Sequence, residues 1–179
     1  MTVAGLEIRY AVGDKDDELA MQRMVSAFER LDGDFSDFGK HVFPKLIPLF
    51  EAETKRQFND EGSGPNRGHW APLSPAYAAW KSRVAPGKPI NELSGRMREA
   101  LTESSSPLAL RSTEGNAFNF GTRGVEYASF KQTGTNREPS RPPFDFSGDF
   151  ERDFERIGAE TMRELVKKSG VGEFGEVKE

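Results

Sequence analysis

The sequence predicts a single α+β domain, in which a small antiparallel sheet has several helices packed on it. Apolar residues recur at helical spacing along several stretches, and shorter segments have the alternation typical of strands. No linker divides the 179 residues into two cores, and this length is enough to bury one core. We therefore expect one domain over residues 1–168, followed by a flexible C-terminal tail over residues 169–179.

The N-terminal region predicts a strand followed by a helix. Apolar and polar residues alternate over residues 5–12, which indicates a strand with one buried face. Asp14 is a suitable N-cap for the helix that follows, and acidic residues in its first turn favour the positive end of the helix dipole. We expect this helix to stop at Asp32 and Gly33.

A second, longer helix restarts at Asp34, because apolar residues again recur every three or four positions. Pro44 and Pro48 each remove a backbone donor, so this helix is expected to kink or to begin afresh near Pro44. The following segment, residues 61–69, is rich in glycine, proline and asparagine and predicts a loop.

Two short helices are predicted in the middle of the chain. Ser74 is a good N-cap, and Pro75 suits the first position of a helix that continues to Arg83. Ser94 is expected to cap the next helix, which runs through Leu101.

The last part of the chain predicts a hairpin and a long helix. Two apolar segments flank a turn at residues 112–115, and this pattern predicts a hairpin. A polar loop at 133–143 precedes a helix over residues 149–168. The apolar stripe of this helix is expected to comprise Phe150, Phe154, Ile157 and Leu165.

Composition excludes several classes of protein. Without cysteine the chain has no disulfide, no thiolate nucleophile and no cysteine-built metal site. It lacks the run of about 20 apolar residues that a membrane helix needs, and it lacks the pattern of a secretory signal. The isoelectric point near 5.4 argues against strong nucleic-acid binding. We therefore expect synthesis in the cytoplasm and no membrane partner.

Catalytic and metal-binding patterns are weak. His41 and His69 have no companion at metal-ligand spacing, and no nucleophile elbow or phosphate-binding glycine loop occurs. Asp14, Asp16 and Asp17 are better explained as a charged first helical turn than as a calcium site. We expect no cofactor, no metal ion and no enzymatic activity.

Charge is distributed unevenly along the chain. Residues 81–111 contain six basic and three acidic residues, whereas residues 149–179 contain six basic and nine acidic residues. A basic middle and an acidic end would attract one another if they lay on unlike faces of identical subunits in a ring. Chance is an equally good explanation of this uneven distribution.

Four sequence blocks follow one another from His69 onward. They read HWAPLSPAYAAWK from His69, INELSGRMREAL from Ile90, FNFGTRGVEYASFKQTGT from Phe118 and REPSRPPFDFS from Arg137. Their order and spacing resemble the phage virion morphogenesis family, the tail completion or neck proteins of tailed phages. The chain departs from the family pattern at Lys131, where histidine is frequent, and by an extra proline after Arg141.

The resemblance implies a structural subunit that assembles as a ring, with a hexamer as the expected form, at the head–tail junction of the virion. Its expected neighbours are the head–tail connector and the tail tube or tail terminator protein, and phage DNA would pass non-specifically through a neutral or acidic lumen. The polar loops, 133–143 among them, would become ordered against neighbouring subunits.

The same resemblance supplies the candidate residues of the assembly interface: Trp70, Gln132, Gly134, Arg141 and Phe144. For Trp70 and Phe144 we favour a place in the core of the subunit, because aromatic side chains are usually buried.

Three alternatives stay open from the sequence. A tail terminator or head-closure ring protein would occupy a neighbouring position in the same virion. A hydrolase would need an unrecognised pair of carboxylates in one pocket. A host-directed binding module would be a stable monomer with one exposed apolar patch.

Overall fold

The computed structural model describes residues 2–3, 6–7, 15–62, 68–114 and 117–171, which form six helices and two antiparallel two-stranded sheets. The elements in chain order are β1 Thr2–Val3, β2 Leu6–Glu7, α1 Lys15–Ser36, α2 Phe38–Asn59, α3 Pro75–Val84, α4 Arg96–Thr102, β3 Ala109–Glu114, β4 Ala117–Thr122, α5 Tyr127–Thr133 and α6 Gly148–Ser169. The predicted α+β class and single compact unit are confirmed. Among the helices described, none has the length and hydrophobicity required to span a bilayer.

The predicted N-terminal strand is described only in part. Leu6–Glu7 pairs with Thr2–Val3, with Val3 opposite Leu6. The remainder of the predicted strand over residues 5–12 lies outside the described residues.

The predicted end of α1 at Asp32 and Gly33 is wrong, since the helix continues to Ser36. A glycine inside a helix costs only about 1 kcal/mol relative to alanine and does not by itself end the helix. The carboxylate of Asp34 lies 3.5 Å from His41 Nε2 on α2 and 3.5 Å from Lys168 Nζ on α6. These contacts attach the last turn of α1 to two neighbouring helices.

Helix α2 runs without interruption from Phe38 to Asn59, so the expected new start near Pro44 is wrong. Pro44 and Pro48 are both exposed. The carbonyl groups that lose a helical donor therefore lie on the side open to water, which lowers the cost of each proline. Because α2 packs against α4, α6 and the β3–β4 hairpin, it forms the centre of the fold.

The two short helices begin differently from one another. Ser74 caps α3 as predicted, with its Oγ accepting a hydrogen bond from the Tyr77 amide. The predicted cap of α4 at Ser94 is wrong, because Gly95 occupies the N-cap with a φ of 85° and no side chain caps this helix. The left-handed turn at Gly95 moves Ser94 out of capping position.

The predicted hairpin is confirmed, with Ala109 paired to Thr122 and Glu114 paired to Ala117. Its turn is shorter than expected, because residues 112–114 belong to β3, while 115–116 lie outside the described residues.

Helix α6 is confirmed with small changes at both ends. Ser147 caps it by accepting a hydrogen bond from the Phe150 amide at 3.1 Å. Ser169, expected to begin the flexible tail, is the last residue of the helix, and its buried carbonyl accepts a hydrogen bond from Arg30 Nη2. The rest of that predicted tail, residues 172–179, lies outside the described residues. Within the predicted stripe, Phe150 and Leu165 are buried, but Phe154 is exposed.

Aromatic side chains join α2, the hairpin and α6. The ring of Phe50 on α2 lies 5.0–6.5 Å, centroid to centroid, from five others: Phe118, Phe120, Phe146, Phe150 and Phe154. Most of these pairs have the edge-to-face or tilted geometry that aromatic rings favour. A second cluster, formed by Phe58, Trp70, Met97, Ala100, Leu101 and Val125, fills the space between α2 and α4.

Two buried polar contacts complement the aromatic packing. The Glu53 carboxylate on α2 accepts hydrogen bonds from Arg56 and from the Ser147 amide, while Arg56 Nη2 donates to Ser147 Oγ. Arg111 on β3 donates to Glu51 on α2, and its guanidinium lies 3.6 Å from the centre of the Phe120 ring. These contacts fix the start of α6 and the hairpin against α2.

Candidate functional site

The five residues selected from the sequence converge on residues 134–147, which connect α5 to α6 and are called here the α5–α6 segment. Trp70 donates from its indole Nε1 to the carbonyl of Pro142 at 3.1 Å. Its ring packs edge-to-face on Phe58 with the centroids 5.7 Å apart. A Cβ atom on Gly62 would lie 2.6 Å from the indole, so only glycine fits beneath this ring.

Arg141 lies in the middle of the α5–α6 segment and is only 3% exposed. Its guanidinium donates three hydrogen bonds, to the carbonyl of Ala71 at 2.7 Å, to the carbonyl of Pro72 at 3.0 Å and to the carboxylate of Glu138 at 2.7 Å. Its backbone amide donates to the carbonyl of Lys131 on α5. The Arg141 side chain therefore joins the α5–α6 segment to residues 71–72, and its backbone amide joins the segment to α5.

Gln132 and Phe144 form a reciprocal pair. The amide Nε2 of Gln132 donates to the Phe144 carbonyl at 2.9 Å, and the Phe144 amide donates to Gln132 Oε1 at 3.2 Å. The glutamine thus satisfies both backbone groups of Phe144, as a neighbouring strand would. The Phe144 ring packs against Phe120 of the hairpin, which ties the segment to the sheet.

Gly134 ends α5 with a φ of 77°. A Cβ atom at this position would lie 2.8 Å from the Ser140 amide nitrogen and 3.1 Å from the Glu138 carbonyl oxygen. Both the backbone conformation and the close approach therefore require glycine.

The structure brings the five residues into one network inside the subunit. Trp70 and Arg141 are buried, and the others are half-buried. Their polar atoms hold the α5–α6 segment in place. Any role of these residues in assembly is therefore indirect: they position the surface that this segment forms.

Sequence reasoning missed two residues beneath this network. Lys81 of α3 is buried, and its ammonium donates to the carbonyls of Pro89 and Ile90. Burial lowers the pKa of Lys81, although the negative charges of Glu61 and Glu92 act in the opposite direction. A lysine on a short polar helix ordinarily points into water, and no local pattern distinguishes this one.

Asn91 is the second missed residue. Its Nδ2 donates to the Arg141 carbonyl at 2.8 Å, so it connects the loop before α4 to the α5–α6 segment. An asparagine in a turn is usually explained by its own backbone, and for that reason the sequence gives no signal for this long-range contact.

Glu138 accepts hydrogen bonds from both Lys131 and Arg141. Burial acts to raise its pKa, but the hydrogen bond and positive charge of Lys131, together with those of Arg141, outweigh burial and hold the pKa below its ordinary value of 4.5. This carboxylate is therefore ionised at neutral pH and neutralises part of the positive charge around it.

Above the network lies an open groove between α3 and α5, called here the α3–α5 groove, with a volume of about 270 Å³. Its apolar walls are Leu73, Tyr77, Ile90, Leu93, Tyr127 and Phe130. One end of the groove carries Lys131 and Glu138 and continues into a shallower depression that includes Arg137 and Arg141. The groove thus joins an aromatic surface to a group of charged side chains.

Buried carboxylates among the described residues have ion-pair partners. The buried carboxylate of Glu92 is paired with Lys88 at 2.8 Å and with Arg98 at 3.0 Å, and Glu53 is held by Arg56. Within the described ranges no group of three or more histidine and carboxylate side chains is placed to hold a metal ion. These carboxylates act as ion-pair partners in this fold.

Comparisons of the chain with models of known protein families, with curated proteins and with solved structures found no significant match. The class of protein that the geometry defines is a compact α+β domain with an internally held segment and an exposed aromatic groove.

Replacing Arg141 is expected to destabilise the fold strongly. Arg141→Met removes the buried charge, takes one of two donors from the Glu138 carboxylate and leaves the carbonyls of Ala71 and Pro72 without the guanidinium, so we expect the free energy of unfolding to fall by about 3 kcal/mol. Arg141→Lys should recover only part of this loss, because an ammonium lacks the planar fork of donors. Chemical denaturation measures the effect. Arg137→Met, at an exposed neighbour, should change stability by less than about 0.5 kcal/mol, and equal effects at both positions would contradict the assigned role.

Two glycine-to-alanine substitutions should act in opposite directions. Gly134→Ala is expected to lower the free energy of unfolding by about 2 kcal/mol, because alanine resists a positive φ and its Cβ would meet the Ser140 amide. Gly158 lies within α6 and has open space around its Cβ position. Gly158→Ala should therefore raise stability by up to about 1 kcal/mol. Thermal or denaturant unfolding of both variants checks the pair, and a neutral Gly134→Ala would refute the close contact.

Stability should depend on the charge of Glu138 in acid. Because its pKa is lowered in the folded state, the contribution of Glu138 is present above the ordinary pKa of the unfolded chain and is lost as the pH falls through the folded-state value. We expect Glu138→Gln to be less stable than the wild type near neutral pH and to lose less stability between about pH 6 and about pH 3. Glu155→Gln, an exposed carboxylate on α6, serves as the control. Unfolding curves with the same pH dependence in all three proteins would rule out this contribution.

Proposed function

We propose that this chain is a structural subunit of a tailed-phage virion, a neck or tail completion protein that forms a ring at the head–tail junction. The observation that carries the proposal is that the four blocks of the family resemblance contact one another. The fourth block, residues 137–147, is bonded to the first through Trp70, to the second through Asn91 and to the third through Gln132.

The contacts give the resemblance a physical basis. Residues selected for one fold are expected to support one another, so contacts that run through the motif residues themselves favour the resemblance. The residues most typical of the family pattern, Gln132, Gly134 and Arg141, are also those whose side chain or backbone conformation holds the α5–α6 segment.

In this function the protein acts through its shape and surface. The subunit would provide a firmly packed body around α2 and expose the α3–α5 groove to its surroundings. The expected neighbours in the particle are further copies of the chain, the head–tail connector and the tail tube or terminator protein. Phage DNA would pass through a neutral or acidic lumen, which avoids gripping the duplex.

A second candidate is a host-directed binding module, which the exposed aromatic groove favours. Large apolar patches on a protein surface mark interaction sites for other molecules. The two candidates differ in location, because a binding module acts away from the particle.

The test is the location and necessity of the protein in the phage that encodes it. Particles made without the chain should accumulate as filled heads and separate tails, and complementation by the wild type or by Arg163→Met, an exposed position of α6 outside the groove, should restore joined particles. Arg141→Met should restore few. Cryo-electron microscopy of intact virions should place a ring of this chain between head and tail. Normal infectious particles lacking the protein, or a lumen lined by lysine and arginine, would contradict the proposal.

A further inference from the structure

The α3–α5 groove exposes several aromatic side chains in the described part of the chain. Phe130 is 54% exposed and Tyr77 is 42% exposed, although both line the groove. Leu93 and Tyr127 are exposed on its other walls. Aromatic and aliphatic side chains gathered in one concave surface favour an apolar side chain as occupant.

The charged end of the groove favours an acidic occupant. Lys131, Arg137 and Arg141 contribute three positive charges, against one negative charge from Glu138. The Lys81 ammonium donates to the carbonyl of the lining residue Ile90, and the Glu61 carboxylate accepts from the amide of the same residue, so these two charges offset one another. The groove therefore combines an apolar surface with an excess of positive charge.

The chain itself contains a segment of complementary chemistry. Residues 172–179 read GEFGEVKE, in which Phe174 lies between Glu173 and Glu176 and the net charge is −2. We propose that the α3–α5 groove of one copy binds residues 172–179 of a second copy, with Phe174 among the aromatic walls and the glutamates beside Lys131 and Arg137. The inference rests on the proposed assembly of the chain with itself.

The segment belongs to another copy because its own groove is out of reach. Helices α2 and α6 are antiparallel, since Arg56 contacts Ser147 at one end and Lys45 contacts Glu164 towards the other. The groove lies at the Ser147 end, whereas the segment leaves α6 at the opposite end. The 22 residues of α6 cover about 33 Å. Phe174 lies three residues beyond Val171, and three extended residues span at most about 11 Å, so Phe174 does not reach back along its own helix.

Docking of this kind joins unlike surfaces of identical subunits. The end of α6 on one copy meets the α3–α5 groove of the next, so each copy donates one segment and receives one. Such a heterologous contact generates a closed ring when the rotation between copies closes, and a filament when it does not.

Disulfide trapping in the full-length chain tests the proposal, because the natural sequence has no cysteine to interfere. Ser94 lines the groove, so Ser94→Cys and Glu173→Cys proteins are purified separately, mixed and mildly oxidised. We expect a mixed disulfide between the two proteins, identified by mass spectrometry. Adding Phe174→Ala to the Glu173→Cys protein should slow its formation by about tenfold, as loss of a central aromatic anchor does. Raised salt should slow it further.

A matched control uses Ser105→Cys, which places an exposed thiol beyond the other end of α4. A mixed disulfide that forms equally fast with Ser94→Cys and Ser105→Cys would overturn the proposal. The double variant Ser94→Cys/Glu173→Cys should give a ladder of linked copies, and closure within a single chain would also overturn it. Electron microscopy of the wild type separates the two proposals. If the protein forms rings or lies in the virion but the disulfide is not specific, only the groove contact is refuted. If the disulfide is specific but the protein is absent from the virion, only the neck function is refuted.

Discussion

The buried guanidinium of Arg141 is the interaction on which the rest of this site depends. A charge that is removed from water must be matched by acceptors, and Arg141 finds them in two carbonyls of residues 71–72 and in Glu138. The planar fork of an arginine reaches all three at once, which an ammonium on a flexible stem does not. Because the two carbonyls lie 70 and 69 residues away along the chain, satisfying one charge holds the α5–α6 segment against the residues that precede α3.

Local chemistry predicted most of the regular elements, although it gave no helix for α5. The Ser74 cap, the β3–β4 hairpin and the long amphipathic α6 follow from short-range patterns, and the structure confirms them. Errors arose where distant contacts outweigh local preference. Helix α1 continues past Gly33 because Asp34 is held by α2 and α6, and α2 tolerates its prolines because they face water.

The sequence identified the residues of the candidate site but not the contacts between them. The motif blocks identified Trp70, Gln132, Gly134, Arg141 and Phe144, and the structure joins them in one network. Nothing local indicates that Arg141 is buried, since arginine is usually found at the surface. Lys81 and Asn91 were missed for the same reason: their roles are set by carbonyl groups that approach only after folding. Buried polar contacts between distant residues are the part of a fold that local patterns do not encode.

The hydrogen bonds that hold the α5–α6 segment within one chain change the entropic cost that assembly would carry. The sequence led us to expect that the loop at 133–143 becomes ordered only against a neighbour, which would cost conformational entropy at each interface. In the structure Gln132, Arg141 and Asn91 already hold this loop within the subunit. The α3–α5 groove is therefore formed before any partner arrives, and a partner that brings one short segment has only that segment to order. In the proposed assembly, a preformed groove and a short donated segment would let weak contacts between single copies add up to a stable ring, because every copy would both donate and receive.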